Sequence, residues 1–289
     1  MKTRVLFAGI AMSFFGITNA QINVNDILNE RALGAVQKGM SGFMFSDADA
    51  AALSKQAVDK MDAENKVAGA KDPYTIRLNK VFGKHKNENG LALNYKVYLI
   101  KEVNAFATAD GSVRVFSGLM DIMDDNELLA VIGHEIGHVA NEDTKDAMKA
   151  ALRKAALIDA VSSQSDKVAK LTDSQLGQIG NALLDSKHSR KQESEADTFS
   201  YDFMKKHGYD VNAVESAFNL LASQSGGASA DFLSRMMSSH PDPKDRAETA
   251  KQRAIADGLY KAYVQKPINN KVVVTKTTTK KATTKKKKK

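Results

Sequence analysis

The 289-residue chain contains no cysteine. No disulfide framework is open to it, and any metal site must draw on histidine and carboxylate ligands. Beyond the first twenty residues it has no apolar run long enough to cross a bilayer, so no transmembrane helix is expected in the mature chain, which should be soluble. No internal repeat is visible. A basic excess is also missing from the body. The net charge is +8, yet Lys2 and Arg4 stand in an acid-free start and nine lysines in an acid-free stretch over 271–289. Taking these eleven charges away leaves −3 for residues 21–270. A nucleic-acid-binding face is therefore not expected on the folded body. What remains is 43% hydrophobic and 26% charged, an ordinary globular composition with enough chain for a substantial core.

The N-terminus has the layout of a secretory signal. Lys2 and Arg4 precede a thirteen-residue apolar run from Val5 to Ile17, and Thr18-Asn19-Ala20 offers a cut after Ala20. Thirteen residues rise only about 20 Å as helix, short of the roughly 30 Å hydrocarbon core. No cysteine follows the cut to carry a lipid. The expectation is a signal over 1–20, one folded domain over 21–265 and a disordered Lys/Thr-rich tail over 266–289. Export would place the protein in a periplasm or outside the cell. The lysine tail could make weak contact with anionic surfaces, or serve only solubility.

Helical spacing runs through 47–83, interrupted at Asp72-Pro73. Strand-like runs follow at 91–100, 103–108 and 113–116, with Asp110-Gly111 as a hairpin turn. Further helices are expected from Asp124 onward and over 144–161, 173–187, 190–207, 211–223 and 243–260. Asp124 with Glu127, Thr172 with Gln175 and Ser189 with Gln192 make capping-box pairs. Gly208 is a stop signal. Residues 223–230, with Gly226-Gly227, suggest a mobile loop. His85, His188 and His207 are expected on the surface.

His134-Glu135-Ile136-Gly137-His138 fits H-E-x-x-H inside a half-buried helix. Residues four apart share a helix face, so His134 and His138 can reach one ion. Glu135 beside them can take a proton from water at the ion's open position. The third ligand should be a His or carboxylate with helical support, and Glu193-Ser194-Glu195-Ala196-Asp197 supplies it. Glu193 and Asp197 share a face. Glu193 is assigned to the metal, and Asp197 lies behind it, where it could hydrogen-bond a ligand histidine and fix its tautomer. Ser239-His240-Pro241, followed by Arg246, is the third element. His240 could stabilise an oxyanion or cap the metal at rest. Arg246 could bind substrate backbone or brace the site through a carboxylate.

Together these elements resemble the zinc metallopeptidase family of the CAAX prenyl endopeptidases and HtpX heat-shock proteases, and its soluble exported BepA/LoiP-like branch more closely. The resemblance rests on Asn104-Ala105-Phe106 through Ser117-Gly118-Leu119, HEIGH at 134–138, ESEAD at 193–197, and Ser239-His240-Pro241 with Arg246. It covers about 47–260. It implies an α+β, mainly α, gluzincin-type domain with a small antiparallel sheet beside the active-site helix. It implies one Zn2+ held by His134, His138 and Glu193, with Glu135 as base and Asp197 one turn beyond the third ligand. It also brings His240 and Arg246 to the site and makes Asn104, Ala105 and Phe106 a strand on which an extended substrate could add. Gly208-Tyr209-Asp210-Val211 departs from the family's Gly-Tyr-Asp-Pro, and the membrane helices of the prenyl and heat-shock branches are missing.

Two functions follow. One is an endopeptidase acting on unfolded or misassembled envelope proteins. The other is a binding or chaperone-like protein that keeps zinc only for structure. Metal sites of that kind are usually closed by four protein ligands.

Overall fold

The computed structural model describes residues 45–154, 172–224, 238–240 and 242–270. The expected signal, most of the 223–230 loop and the tail from 271 lie outside these residues.

Helix α1 (Asp47–Glu64) begins at Ser46, which forms a capping box with Asp49 and satisfies backbone donors at the helix start. It buries Leu53, Ala57, Val58 and Met61 on one stripe. Helix α2 (Pro73–Phe82) starts with Asp72 as cap and proline in its first turn, where a missing N–H costs nothing. The ribbon β1 (Asn87–Glu88) and β2 (Leu91–Ala92) turns through Asn89 and Gly90, both at positive φ.

Three further strands form one sheet: β3 (Asn94–Tyr98), β4 (Ala105–Ala107) and β5 (Ser112–Phe116), in the order β3-β5-β4. The β4–β5 hairpin turns at Asp110-Gly111 as expected, with Gly111 at φ +82. β3 and β5 run parallel. The sheet is thus mixed, because residues 99–104 carry the chain past the sheet before the hairpin returns with β5 at the centre. Asp62 of α1 pins the assembly, accepting hydrogen bonds from Arg114 Nε at 2.7 Å, Lys96 Nζ at 2.7 Å and Tyr98 Oη at 2.7 Å.

The remaining elements are helical: α3 (Ser117–Ile122), α4 (Asp125–Ala140), α5 (Asp143–Lys154), α6 (Asp173–Leu184), α7 (Arg190–Lys206), α8 (Asn212–Gln224) and α9 (Pro243–Ala256). All three expected capping boxes form, at the starts of α4, α6 and α7. Gly208 follows α7 at φ +69, a left-handed conformation that glycine adopts without a Cβ penalty. α4 is buried from Glu127 through His138 and packs against α7, α8 and β4. A Cβ on Gly137 would lie 3.0 Å from Ala196 Cα and 3.1 Å from Ala196 O, so only glycine lets α4 and α7 approach this closely.

After α9 the chain has neither helix nor strand, yet it is bonded to the body. Tyr263 Oη and Lys266 N each donate to Asp124 Oδ2 at 2.7 Å. Gln265 Nε2 donates to Glu127 Oε2 at 2.6 Å, and Asn270 Nδ2 to Met120 O at 2.9 Å. The stretch expected to leave the body at 266 is therefore held as far as Asn270. Hydrogen bonds to buried acceptors and the packing of Tyr263 against the core hold it there, and hydropathy reports neither. Among the described residues no helix is long and apolar enough to cross a membrane.

Candidate metal centre

One turn of α4 separates His134 from His138 and brings their Nε2 atoms to 3.0 Å. The helix starts at a doubly bonded cap. Asp124 Oδ1 accepts from Glu127 N at 3.0 Å, and Glu127 Oε2 accepts from Asp124 N at 2.9 Å. Glu193 sits in the first turn of α7, behind the Ser189–Gln192 cap. The close approach at Gly137 puts its carboxylate between the imidazoles. Oε1 is 3.4 Å from His138 Nε2 and Oε2 is 3.6 Å from His134 Nε2.

Each histidine is braced from behind by a carboxylate. Asp197 Oδ1 lies 2.8 Å from His134 Nδ1, and Asp143 Oδ2 lies 2.8 Å from His138 Nδ1. Asp143 is itself held by Gln192 Nε2, which donates to Oδ1 at 2.8 Å. Arg246 donates to both oxygens of Asp197, at 2.8 and 2.7 Å, and its guanidinium lies 4.1 Å above the Phe218 ring. Its Nη1 is also 2.6 Å from Glu193 Oε2, out of line for a hydrogen bond. With both Nδ1 atoms engaged by carboxylates, the two Nε2 atoms are turned toward each other and toward Glu193.

His240 completes the ring of donors. Its Nδ1 is 3.0 Å from Glu193 Oε1 and 3.2 Å from His134 Nε2. One donor atom from each of His134, His138, Glu193 and His240 falls within 4.8 Å of the others. Glu135 is buried beside them. Its Oε1 has no hydrogen-bond partner and lies 3.8 Å from His240 Nε2. Two imidazoles, a carboxylate and an unpaired buried carboxylate oxygen fit a divalent ion that favours nitrogen and oxygen donors.

Burial and neighbouring charges together shift the two imidazoles in opposite directions. Burial pushes the Glu135 carboxyl above its ordinary pKa. Burial and then the Arg246 charge depress His134 well below the ordinary imidazole value. Burial also lowers His138, but hydrogen bonds to Asp143 and Glu193 outweigh it and raise the group to about 9. Burial opposes ionisation of Glu193, yet hydrogen bonds from His138 and His240 hold it far below the usual carboxylate range. Burial raises Asp197 against the opposing pull of Arg246.

The structure thus brings together His134, Glu135, His138, Glu193, Asp197, His240 and Arg246. Ala105 and Phe106 lie in β4, an edge strand of its sheet, with Asn104 immediately before it. All three line the same cleft as Glu135, His138 and His240. The Phe106 side chain packs with Tyr98 and Phe116. Two histidines expected on the surface are elsewhere. His188 stacks on His138, with ring centroids 3.8 Å apart and an interplanar angle of 16°. Burial, followed by the neighbouring His138 and His240, drives it down to about 3. His85 is buried, 1% exposed, and bonded to Glu88 and Tyr209. Asp143, Gln192 and His188 were not legible as site residues. Asp143 reaches His138 only because the chain reverses at Glu142, which sits at φ +64.

Two histidines one turn apart and a glutamate from a second helix are the donor set of a metallopeptidase of the gluzincin type. Residues 78–254 match peptidase family M48, and the chain belongs to that family. It is 40% identical to the metalloprotease YcaL of Escherichia coli over 259 residues, which is 89% of this chain and 100% of YcaL. It is 38% identical to the metalloprotease LoiP of the same organism over 260 residues, covering 90% of this chain and 100% of LoiP. A beta-barrel assembly-enhancing protease of Yersinia pestis is 29% identical over 178 residues, 58% of this chain and 36% of its own length. The chain is a metalloprotease.

Proposed function

We propose that the ion is zinc, held by His134, His138 and Glu193, and that the protein is an endopeptidase that cuts unfolded or misassembled envelope proteins. The observation that carries this reading is the convergence of both Nε2 atoms on Glu193 with the unpaired Glu135 Oε1 beside them. When bound, zinc polarises a carbonyl and acidifies water. Glu135 takes the proton of the attacking water on its carboxylate and returns it to the leaving amine nitrogen. Burial makes it a stronger base than an exposed carboxylate, which suits proton transfer near neutral pH. Asp197 and Asp143 hold the imidazoles in orientation, and Arg246 positions Asp197. β4 is an edge strand lining the cleft beside Glu135, and an extended segment could add there as a further strand, which suits unfolded polypeptide better than folded domains.

His240 would stand beside the three ligands at rest and would have to move for substrate to enter. The same contact favours a second reading, a zinc-stabilised binding protein that does not cut. Export through a cleaved signal, with a periplasmic or secreted location, is part of the proposal and is supported by the layout of residues 1–20. The test is casein cleavage by the purified protein. Loss of cleavage on chelation and recovery with zinc supports the endopeptidase. Cleavage indifferent to chelation contradicts it, and tightly bound zinc without cleavage supports the second reading.

A further inference from the structure

At the opposite end of α7 from Glu193, a second set of metal-ligating side chains converges. His85 follows α2, Glu88 lies in β1, and His207 caps the end of α7. His207 is fourteen positions beyond Glu193, about 20 Å along the helix axis. His85 Nδ1 lies 3.0 Å from Glu88 Oε1, and His207 Nε2 lies 2.8 Å from the same oxygen. The His207 nitrogen is buried yet has no hydrogen-bond partner, because its approach to that oxygen is out of line. His85 and Glu88 side chains are 2% and 7% exposed and His207 24%, so the cluster is closed on the core side and open toward solvent.

The three groups are also held from behind. Tyr209 Oη lies 2.5 Å from His85 Nε2, which fixes the ring and leaves Nδ1 facing Glu88. Tyr95 Oη donates to the His85 carbonyl at 2.6 Å. Lys206 Nζ, largely exposed, donates to Glu88 Oε2 at 3.2 Å and leaves Oε1 for the histidines. The backbone N–H of His207 donates to Phe203 O, anchoring it to the helix end. Two imidazoles aimed at one carboxylate oxygen form a nitrogen-oxygen donor set with one side open to water. A hydrogen-bonded cluster alone would satisfy His85 but leaves His207 Nε2 unmatched.

We propose that His85, Glu88 and His207 form a second site for a divalent transition-metal ion of the zinc type, separate from the site on α4. An ion there fastens the β1–β2 ribbon to the end of the helix whose start carries Glu193.

The experiment is elemental analysis of the full chain loaded with excess zinc and freed of unbound metal by gel filtration. The expected content is about two ions per chain in the wild type and about one in His207→Gln, which keeps its casein cleavage. Glu193→Gln also falls to about one, which separates this site from the one proposed for catalysis. Glu88→Gln, of nearly the same shape, gives the same count as His207→Gln and covers the case in which that variant disturbs the helix end. A wild type that holds a single ion overturns the proposal. So does a content of two that persists in both His207→Gln and Glu88→Gln.

Discussion

His240 Nδ1 stands 3.0 Å from Glu193 Oε1, so a residue 47 positions further along the chain closes the ring of candidate ligands. If this contact gates the site, removing it frees the open position and keeps the three ligands. His240→Ala is expected to retain zinc and to cleave casein faster, by roughly tenfold if the open form is populated at about 10% in the wild type. Steady-state rates at matched zinc content measure this. A large fall in rate would instead assign His240 to oxyanion stabilisation.

Gly137 is the point of closest approach between the two ligand-bearing helices. A methyl group there meets backbone atoms of Ala196 at 3.0 and 3.1 Å, which cannot yield as a side-chain tip would. Gly137→Ala is expected to cost about 1–3 kcal/mol through overpacking, a fall of several degrees in melting temperature. Because the strain separates α4 from α7, zinc affinity should fall with it. Gly69, whose added Cβ would meet nothing within 4 Å, is the control, and its alanine variant should change neither quantity.

Asp62 gives the stability a defined acid limb. Burial opposes its ionisation, but hydrogen bonds from Arg114, Lys96 and Tyr98 lower its carboxyl from 3.8 to about 2. A carboxylate with a depressed folded pKa stabilises the fold above its unfolded pKa and loses that contribution as pH falls through the folded one. Asp62→Asn should therefore be less stable than wild type at neutral pH, and the gap should close as pH falls from about 4 to about 2. Denaturant unfolding at a series of pH values measures the gap. A gap that stays constant would mean Asp62 acts through packing alone.

The parts of the site legible in sequence were those spaced by one helical turn. His134 with His138, and Glu193 with Asp197, are each four residues apart, and helix geometry makes them neighbours whatever the rest of the chain does. The capping boxes were legible for the same local reason. Asp143 was hidden because its role depends on a reversal at Glu142, where a non-glycine residue takes a left-handed conformation. His85 and His188 read as surface groups because their partners, Tyr209 and His138, lie far off in sequence. The parallel pairing of β3 with β5 and the anchoring of Tyr263 and Asn270 were hidden likewise. Each depends on contacts between distant segments, which residue spacing does not encode.

The most direct test is Glu135→Gln, compared with wild type for zinc content and casein cleavage in the same preparations. The substitution keeps the shape of the side chain and removes the carboxylate that accepts the proton. Zinc content equal to wild type with a rate lower by about 10²–10⁴ is the expected result. Undiminished cleavage in a fully zinc-loaded Glu135→Gln protein would contradict the hydrolytic mechanism outright.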